Sequence, residues 1–281
     1  MRADLHCHSS ASDGTRPPAE MMRRAAAAGL DVIALTDHDT VAGIAQAAAA
    51  LPPSLTLIPG MELSCRRDEH SIHLLCYLFD PDHAALAAQR RALAETRMDR
   101  ARAMVGRLAE LGAPVTWEQV RAIAGDAVIG RPHIARAMVE SGVIASADQA
   151  FTPEWIGTGG RAYVHKYALD PAEAIALVHN AGGVTVLAHP FAVTRGWTVP
   201  ERLITDLASS GLDGVEVAHP DHDAEQRAEL AALARGHDLA VTGGSDDHGE
   251  LTGDRVGCES TDAQDLEQLL AAASGAQVIT G

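Results

Sequence analysis

The chain is poor in several residue types that carry specialised chemistry. Only four of its 281 residues are cysteine, namely Cys7, Cys65, Cys76 and Cys258. They form no CxxC pair and no regular framework, which sets aside thiolate metal knuckles and disulfide scaffolds and leaves isolated, reduced thiols. Aromatic side chains make up 3%, too few for a platform on which successive bases stack. Lysine and arginine number 22 against 38 acidic residues, a formal charge of −16. Non-specific grip on a nucleic-acid backbone needs the opposite sign, so no long nucleic acid is expected as a partner. No run of 18 apolar residues occurs and the N-terminus lacks a basic-then-apolar signal region. The chain therefore reads as cytoplasmic, with no membrane association and no obligate protein partner in evidence. A P-loop sequence is also missing.

Against this background histidine is abundant, at 14 residues. The stretch DLHCHSSASDG (residues 4–14) sets His6 and His8 one residue apart, with Asp13 five residues after His8. At the end of a short strand, i and i+2 side chains point to one face, so the two imidazoles aim together. Cys7 between them faces the other way and reads as core.

Short apolar runs alternate with amphipathic helices along the chain. Strands are predicted at 3–6, 32–36, 56–59, 72–78, 184–188, 214–217 and 240–242, with a late one at 277–280. Pro17-Pro18 opens a helix that Gly29 closes, and Asp170-Pro171-Ala172-Glu173 opens another that ends at Gly182-Gly183. Repeated strand–helix units imply a mostly parallel α/β sheet, closed as a barrel or open. Residues 84–160 break the alternation with helical patterns alone, among them a capping box at Thr116–Gln119 and a helix from Arg131 to Ser141. The expected organisation is an α/β body from 1–83 and 161–281 with a helical insertion at 84–160.

Polar residues gather where strands end: His6 and His8, Asp37-His38-Asp39, Glu62, His189, and Asp246-Asp247-His248, with His73 inside the fourth predicted strand. In parallel α/β folds these ends form the active site. Imidazole and carboxylate without a thiolate pattern suit Zn, Mn or Fe. The set is too large for one ion, and two to three divalent ions sharing a bridging carboxylate fit it better. Asp39 and Asp247 read as capping or supporting groups. His83, His179, His219, His222 and His237 read as surface or capping residues.

The ordered motifs DLHCHSSASDGT, ALTDHDTVAG, PGMELSC, IHLLCYLFD, VLAHP and GSDDHG resemble those of the PHP (polymerase and histidinol phosphatase) family over nearly the whole chain. The insertion with GRPHIARAMVESG is similar to that of the stand-alone PHP phosphoesterases, some of which are 3′,5′-nucleoside bisphosphate phosphatases that also degrade short RNA. The resemblance implies a distorted (β/α)7 TIM-like barrel and a trinuclear centre. It assigns His6, His8, Glu62 and Asp246 to one ion, Glu62 with His73 and His189 to a second, and Asp13, His38 and His248 to a third. Asp13 stands where many relatives carry histidine, which fits the nucleotide phosphatase branch. The leaving oxygen would take its proton from Asp13 or His248. Arg97 and Arg100, three apart on a predicted helix, and Arg131 with His133 at the start of another, would bind a second phosphate. The substrate would be a small phosphorylated molecule. Histidinol phosphate phosphatase is the alternative enzyme, and a silent metal-binding barrel or a proofreading module of the polymerase type are the other classes.

Overall fold

The structure, a computed structural model, describes residues 1–165, 167–193 and 197–281. It divides into two compact units, Met1–Gln89 with Ala168–Gly281, and Arg90–Tyr167. The first is an α/β barrel. Its strands are β1 (Ala3–Asp4), β2 (Val32–Leu35), β3 (Thr56–Arg67), β4 (His70–Tyr77), β5 (Val184–Leu187), β6 (Gly214–Ala218) and β7 (Ala240–Gly243), hydrogen-bonded in that order. Leu5 N donates to Gly243 O and Asp246 N to His6 O, so the last strand returns to the first and the barrel nearly closes. A short β8 (Ile279–Thr280) pairs with the start of β3.

Helices α1 (Pro18–Ala27) and α2 (Ile44–Ala49) follow β1 and β2. Pro18 at the first helical position and Gly29 at φ 72° bracket α1 as the sequence predicts. Met21, Met22 and Ala25 on its inner face pack with Cys7, Ile33, Leu35 and Leu57. Inside the barrel Leu5, Ala34, Ile58, Leu75, Tyr77 and Val186 form a separate cluster. Cys7 is thus a core residue.

Two strands depart from the parallel pattern. β4 runs antiparallel to both β3 and β5. β3 is also longer than the predicted 56–59: it pairs with β2 through Pro59 and with β4 from Gly60 onward. A Cβ on Gly60 would lie 2.8 Å from the Cys76 carbonyl oxygen, so only glycine lets the strand change partners there. Residues 70–77 form a hairpin arm with β3 because only two residues separate the strands, too few for a crossover.

Beyond α6 (Pro171–Asn180), whose first turn is capped by the Asp170 carboxylate accepting from Ala172 N, come α7 (Glu201–Ser209), α8 (Ala224–Gly236) and α9 (Ala263–Ala272). The second unit holds most of α3 (Ala84–Glu110) with α4 (Trp117–Ala124) and α5 (Arg131–Glu140). Thr116 and Gln119 make the predicted reciprocal capping box. The compact unit begins and ends later than 84–160: α3 starts in the first unit, while Ala162, Tyr163 and Val164 pack with Met104, Leu108 and Ile134. Among the described residues no helix is long and apolar enough to cross a membrane.

Candidate metal centre

The loop after β1 is folded by buried hydrogen bonds. Asp37 accepts from Ser9 N, Ser9 Oγ and Ser12 Oγ at 2.7–2.8 Å, which turns residues 9–13 back on themselves and returns Asp13 toward His8. Asp4, fully buried, accepts from His6 N, Ser245 N and Gly257 N and so ties the end of β1 to the segment after β7. There a Cβ on Gly244 would lie 2.4 Å from that of His6, which is why the chain passes this point with glycine. Asp247 braces its own loop by accepting from Gly249 N and Arg255 N, and Asp39 accepts from Ser64 N. Both are the supporting groups expected from their positions.

Nitrogen and oxygen donors converge in three groups: His6, His8, Glu62 and Asp246; His38, Glu62 and His73; and His8, Asp13, His38 and His248. In the first, His6 Nε2 and His8 Nε2 are 3.1 Å apart. From Glu62 Oε2 these nitrogens lie at 3.4 and 3.1 Å, and from Asp246 Oδ1 at 3.3 and 3.2 Å. Four ligands about 2.0–2.1 Å from one tetrahedral ion sit roughly 3.3 Å from each other. The donor set therefore fits a divalent ion in chemistry and in spacing.

Glu62 also reaches the second group. His38 Nδ1 is 3.2 Å from Oε2, while His73 Nδ1 and His189 Nε2 are 2.5 and 3.0 Å from Oε1. Register explains this meeting. His38 bridges Glu62 in parallel across the β2–β3 edge. In the β3–β4 hairpin Glu62 faces Leu75 and Ser64 faces His73, so Glu62 and His73 are diagonal neighbours on one face. Because β4 is antiparallel, the first half of that strand reaches the rim, and His73 joins residues that end parallel strands. The third group is looser: Asp13 lies 3.4 Å from His248 Nε2, 3.7 Å from His38 Nε2 and 3.9 Å from His8 Nδ1, a buried atom with no hydrogen-bond partner. His8 and His38 thus each present both ring nitrogens to the cluster.

Charge completes the picture. Burial opposes a charged ring on His6, but Glu216, Asp246 and Glu62 outweigh it and raise its pKa well above the usual value. Burial likewise opposes charge on His8, and Asp246 and Glu62 overcome it, to about 10. Burial would raise the carboxylates, yet the imidazoles hold Glu62, Asp246 and Asp13 well below their ordinary range. Opposite charges packed this densely away from water are the setting in which divalent cations displace protons from ligands.

Three residues of this neighbourhood were not expected. Glu216, in β6, accepts from His6 Nδ1 at 2.9 Å through Oε1 and from His189 N at 2.7 Å through Oε2. The first bond keeps the proton on Nδ1 and leaves Nε2 as a donor atom for metal. His219 is fully buried, 3.3 Å from Asp246 Oδ2, and His222 is buried beside it. Their assignment to surface or capping roles is corrected, for the loop after β6 lies inside the rim. A signal was present: Ala188-His189-Pro190 recurs as Ala218-His219-Pro220, after consecutive parallel strands. His189 and Asp246 have φ of 32° and 49°, left-handed conformations rare for residues with side chains and retained where surrounding bonds over-determine them.

In the second unit Arg100 donates from Nε to Val164 O at 2.6 Å, and its guanidinium lies 5.2 Å from the Tyr163 ring centroid. Arg131 lies over the Phe151 and Tyr163 rings. Burial, with repulsion from Arg131 and Arg97, lowers the Arg100 pKa to about 10. These three arginines are therefore electrostatic neighbours. His133 is buried, and its Nδ1 accepts from Gly130 N at 2.9 Å, which makes it the cap of α5.

The PHP domain profile matches residues 4–111. A 5′-3′ exoribonuclease of Haemophilus influenzae is 38% identical over 87% of this chain and 89% of its own. A 3′,5′-nucleoside bisphosphate phosphatase of Chromobacterium violaceum is 35% identical over 90% and 89%. The crystal structure of a Bifidobacterium adolescentis protein assigned to the metal-dependent phosphoesterases superposes with a TM-score of 0.90 at 34% identity, over 97% of this chain and 96% of the other.

Proposed function

The chain belongs to the PHP family, and from that premise we propose that it hydrolyses the 3′-phosphate of 3′,5′-nucleoside bisphosphates to give the 5′-nucleotide. The same reading extends to short oligoribonucleotides taken from the 5′ end. The two substrates share a 5′-phosphate and a phosphoester on the 3′ oxygen, and differ in whether a further nucleoside hangs from that ester. The observation that carries the reading is the set of ligand-to-ligand distances of 3.1–3.4 Å in the first donor group.

His6, His8, Glu62 and Asp246 would hold one ion. Glu62 with His73, His189 and the facing nitrogen of His38 would hold a second, and Asp13, His38 and His248 a third. Divalent ions there supply a nucleophile by lowering the pKa of water and neutralise the non-bridging phosphoryl oxygens. Glu216 keeps His6 in the ligating tautomer, and the left-handed turns at His189 and Asp246 direct the first side chain to Glu62 and the second to His6 and His8. His248 Nδ1 is 3.0 Å from the Asp246 carbonyl and donates to it, so its exchangeable lone pair is at Nε2, facing Asp13 Oδ1. This pair would deliver the proton to the leaving 3′ oxygen when a proton taken up from solvent, in place of the third ion, lies between Nε2 and Oδ1. The mutual repulsion of Arg97, Arg100 and Arg131 favours an anion among them, and we assign them the second phosphate, with His133 holding the start of α5.

Each charge-assisted contact to phosphate contributes about 1.5–3 kcal/mol. Arg100→Ala or Arg131→Ala should therefore reduce kcat/KM for 3′,5′-bisphosphate roughly tenfold to a hundredfold and leave hydrolysis of a simple aryl phosphate nearly unchanged. Equal losses on both substrates would remove the arginines from the site. A native enzyme without preference for the bisphosphate would favour histidinol phosphate instead.

A further inference from the structure

We propose that His219 is a positioning residue for the metal centre: its ring proton on Nε2 locks the Asp246 carboxylate so that a single oxygen, Oδ1, faces His6 and His8. The inference rests on the reading of these residues as metal ligands and concerns a residue outside the donor groups.

Protonation of the ring follows from its partners. Asp221 N donates to His219 Nδ1 at 3.0 Å, so Nδ1 carries no proton and the neutral ring bears it on Nε2. That nitrogen lies 3.3 Å from Asp246 Oδ2. The other oxygen, Oδ1, is the one within 3.2–3.3 Å of His8 and His6. A carboxylate bonded through one oxygen cannot rotate to offer both, so the donor on Oδ2 sets how Asp246 meets an ion.

The loop that carries His219 is held rigidly. Arg227, in α8, donates from Nη2 to the His219 carbonyl at 2.7 Å and from Nε to the His222 carbonyl at 2.9 Å, while Nη1 and Nη2 grip both oxygens of Glu259 at 3.0 and 2.6 Å. His222 Nδ1 donates to Val217 O, and its Nε2 accepts from Phe191 N at 3.2 Å. That links the loop after β6 to the loop after β5, which bears His189. The surface fork of Arg227 and Glu259 thus acts on Asp246 through His219. Outer partners of this kind typically alter metal affinity by about 10–100-fold.

Two substitutions separate this role from loop bracing. In His219→Gln the amide nitrogen stands near the place of Nε2 and keeps the donor to Asp246. In His219→Asn the amide oxygen stands near Nδ1 and keeps the acceptor for Asp221 N. Each metal-stripped protein is titrated with Co²⁺ in competition with a chelator and followed by visible absorption, which needs no turnover. The asparagine variant should bind its tightest Co²⁺ at least tenfold more weakly than the glutamine variant, with an altered d–d spectrum. Any other order, including equal affinities, overturns the proposal. Failure of the unsubstituted protein to bind Co²⁺ would instead refute the metal-centre reading on which it rests.

Discussion

Glu62 is the residue on which the most contacts converge: His6, His8 and His38 approach one of its oxygens, His73 and His189 the other. Glu62→Gln removes the charge that both donor groups share, and an amide offers its oxygen to one side only. Turnover of the bisphosphate should fall by at least about a hundredfold, and elemental analysis of the purified variant should find fewer ions per chain than in the native protein. An unchanged metal content would move the bridge elsewhere. At this scale sequence reasoning reached the residues that converge, and Asp39 and Asp247 behind them, but not Glu216 or His219. A histidine one residue from another at a strand end announces itself, whereas Glu216 looks like any polar residue in a strand. What sets it apart is a 2.9 Å contact to His6, 210 residues away in sequence.

Among the elements, α6 offers a pH-dependent contact. His179 in its last turn lies 2.8 Å from Asp213 Oδ2, and the same oxygen accepts from Thr185 N at the start of β5. The bond to Asp213 raises the His179 pKa against a smaller opposing effect of burial. A folded-state value above the unfolded one means that the stabilisation is full below the unfolded pKa, and is lost as pH rises through the folded one. The ring is about a third exposed, so the effect is that of a screened pair. His179→Gln should lower Tm by about 1–2 °C near pH 6 and by less near pH 8.5 in thermal scans. An equal shift at both pH values would show that packing, not charge, is lost. Helix ends such as Thr116–Gln119, Asp170 and Gly29 were legible in sequence because a cap is a local arrangement of a few residues. The direction of β4 was not, since an apolar run reads alike either way.

For the whole molecule, the cluster makes ion binding and folding one equilibrium. Carboxylates and imidazoles from all seven barrel strands or the loops that follow them meet within a few ångströms, so whatever neutralises them stabilises the closed barrel. A free ion concentration a hundredfold above its Kd stabilises a fold by about 2.7 kcal/mol. Stripping the protein with a chelator should then lower Tm by roughly 5–10 °C, and Mn²⁺ or Zn²⁺ should restore it, as read by calorimetry. A Tm indifferent to chelation would mean that the imidazole–carboxylate pairs satisfy one another without cations.

The amino-acid sequence by itself determined the strand–helix alternation, the helical segment inside it, the core place of Cys7 and nearly every residue of the converging imidazole–carboxylate cluster. Each of these depends on residue type and on spacing along a short stretch. Tertiary structure alone decided three things. β4 folds back on β3, which swings His73 to the rim. His38 and His8 turn both nitrogens inward and are shared between donor groups. The loop after β6 enters the barrel mouth with His219, because Arg227 of α8, gripped by the more distant Glu259, closes over it. Each places side chains against groups carried by other strands and loops, and that arrangement is complete only once the barrel has closed.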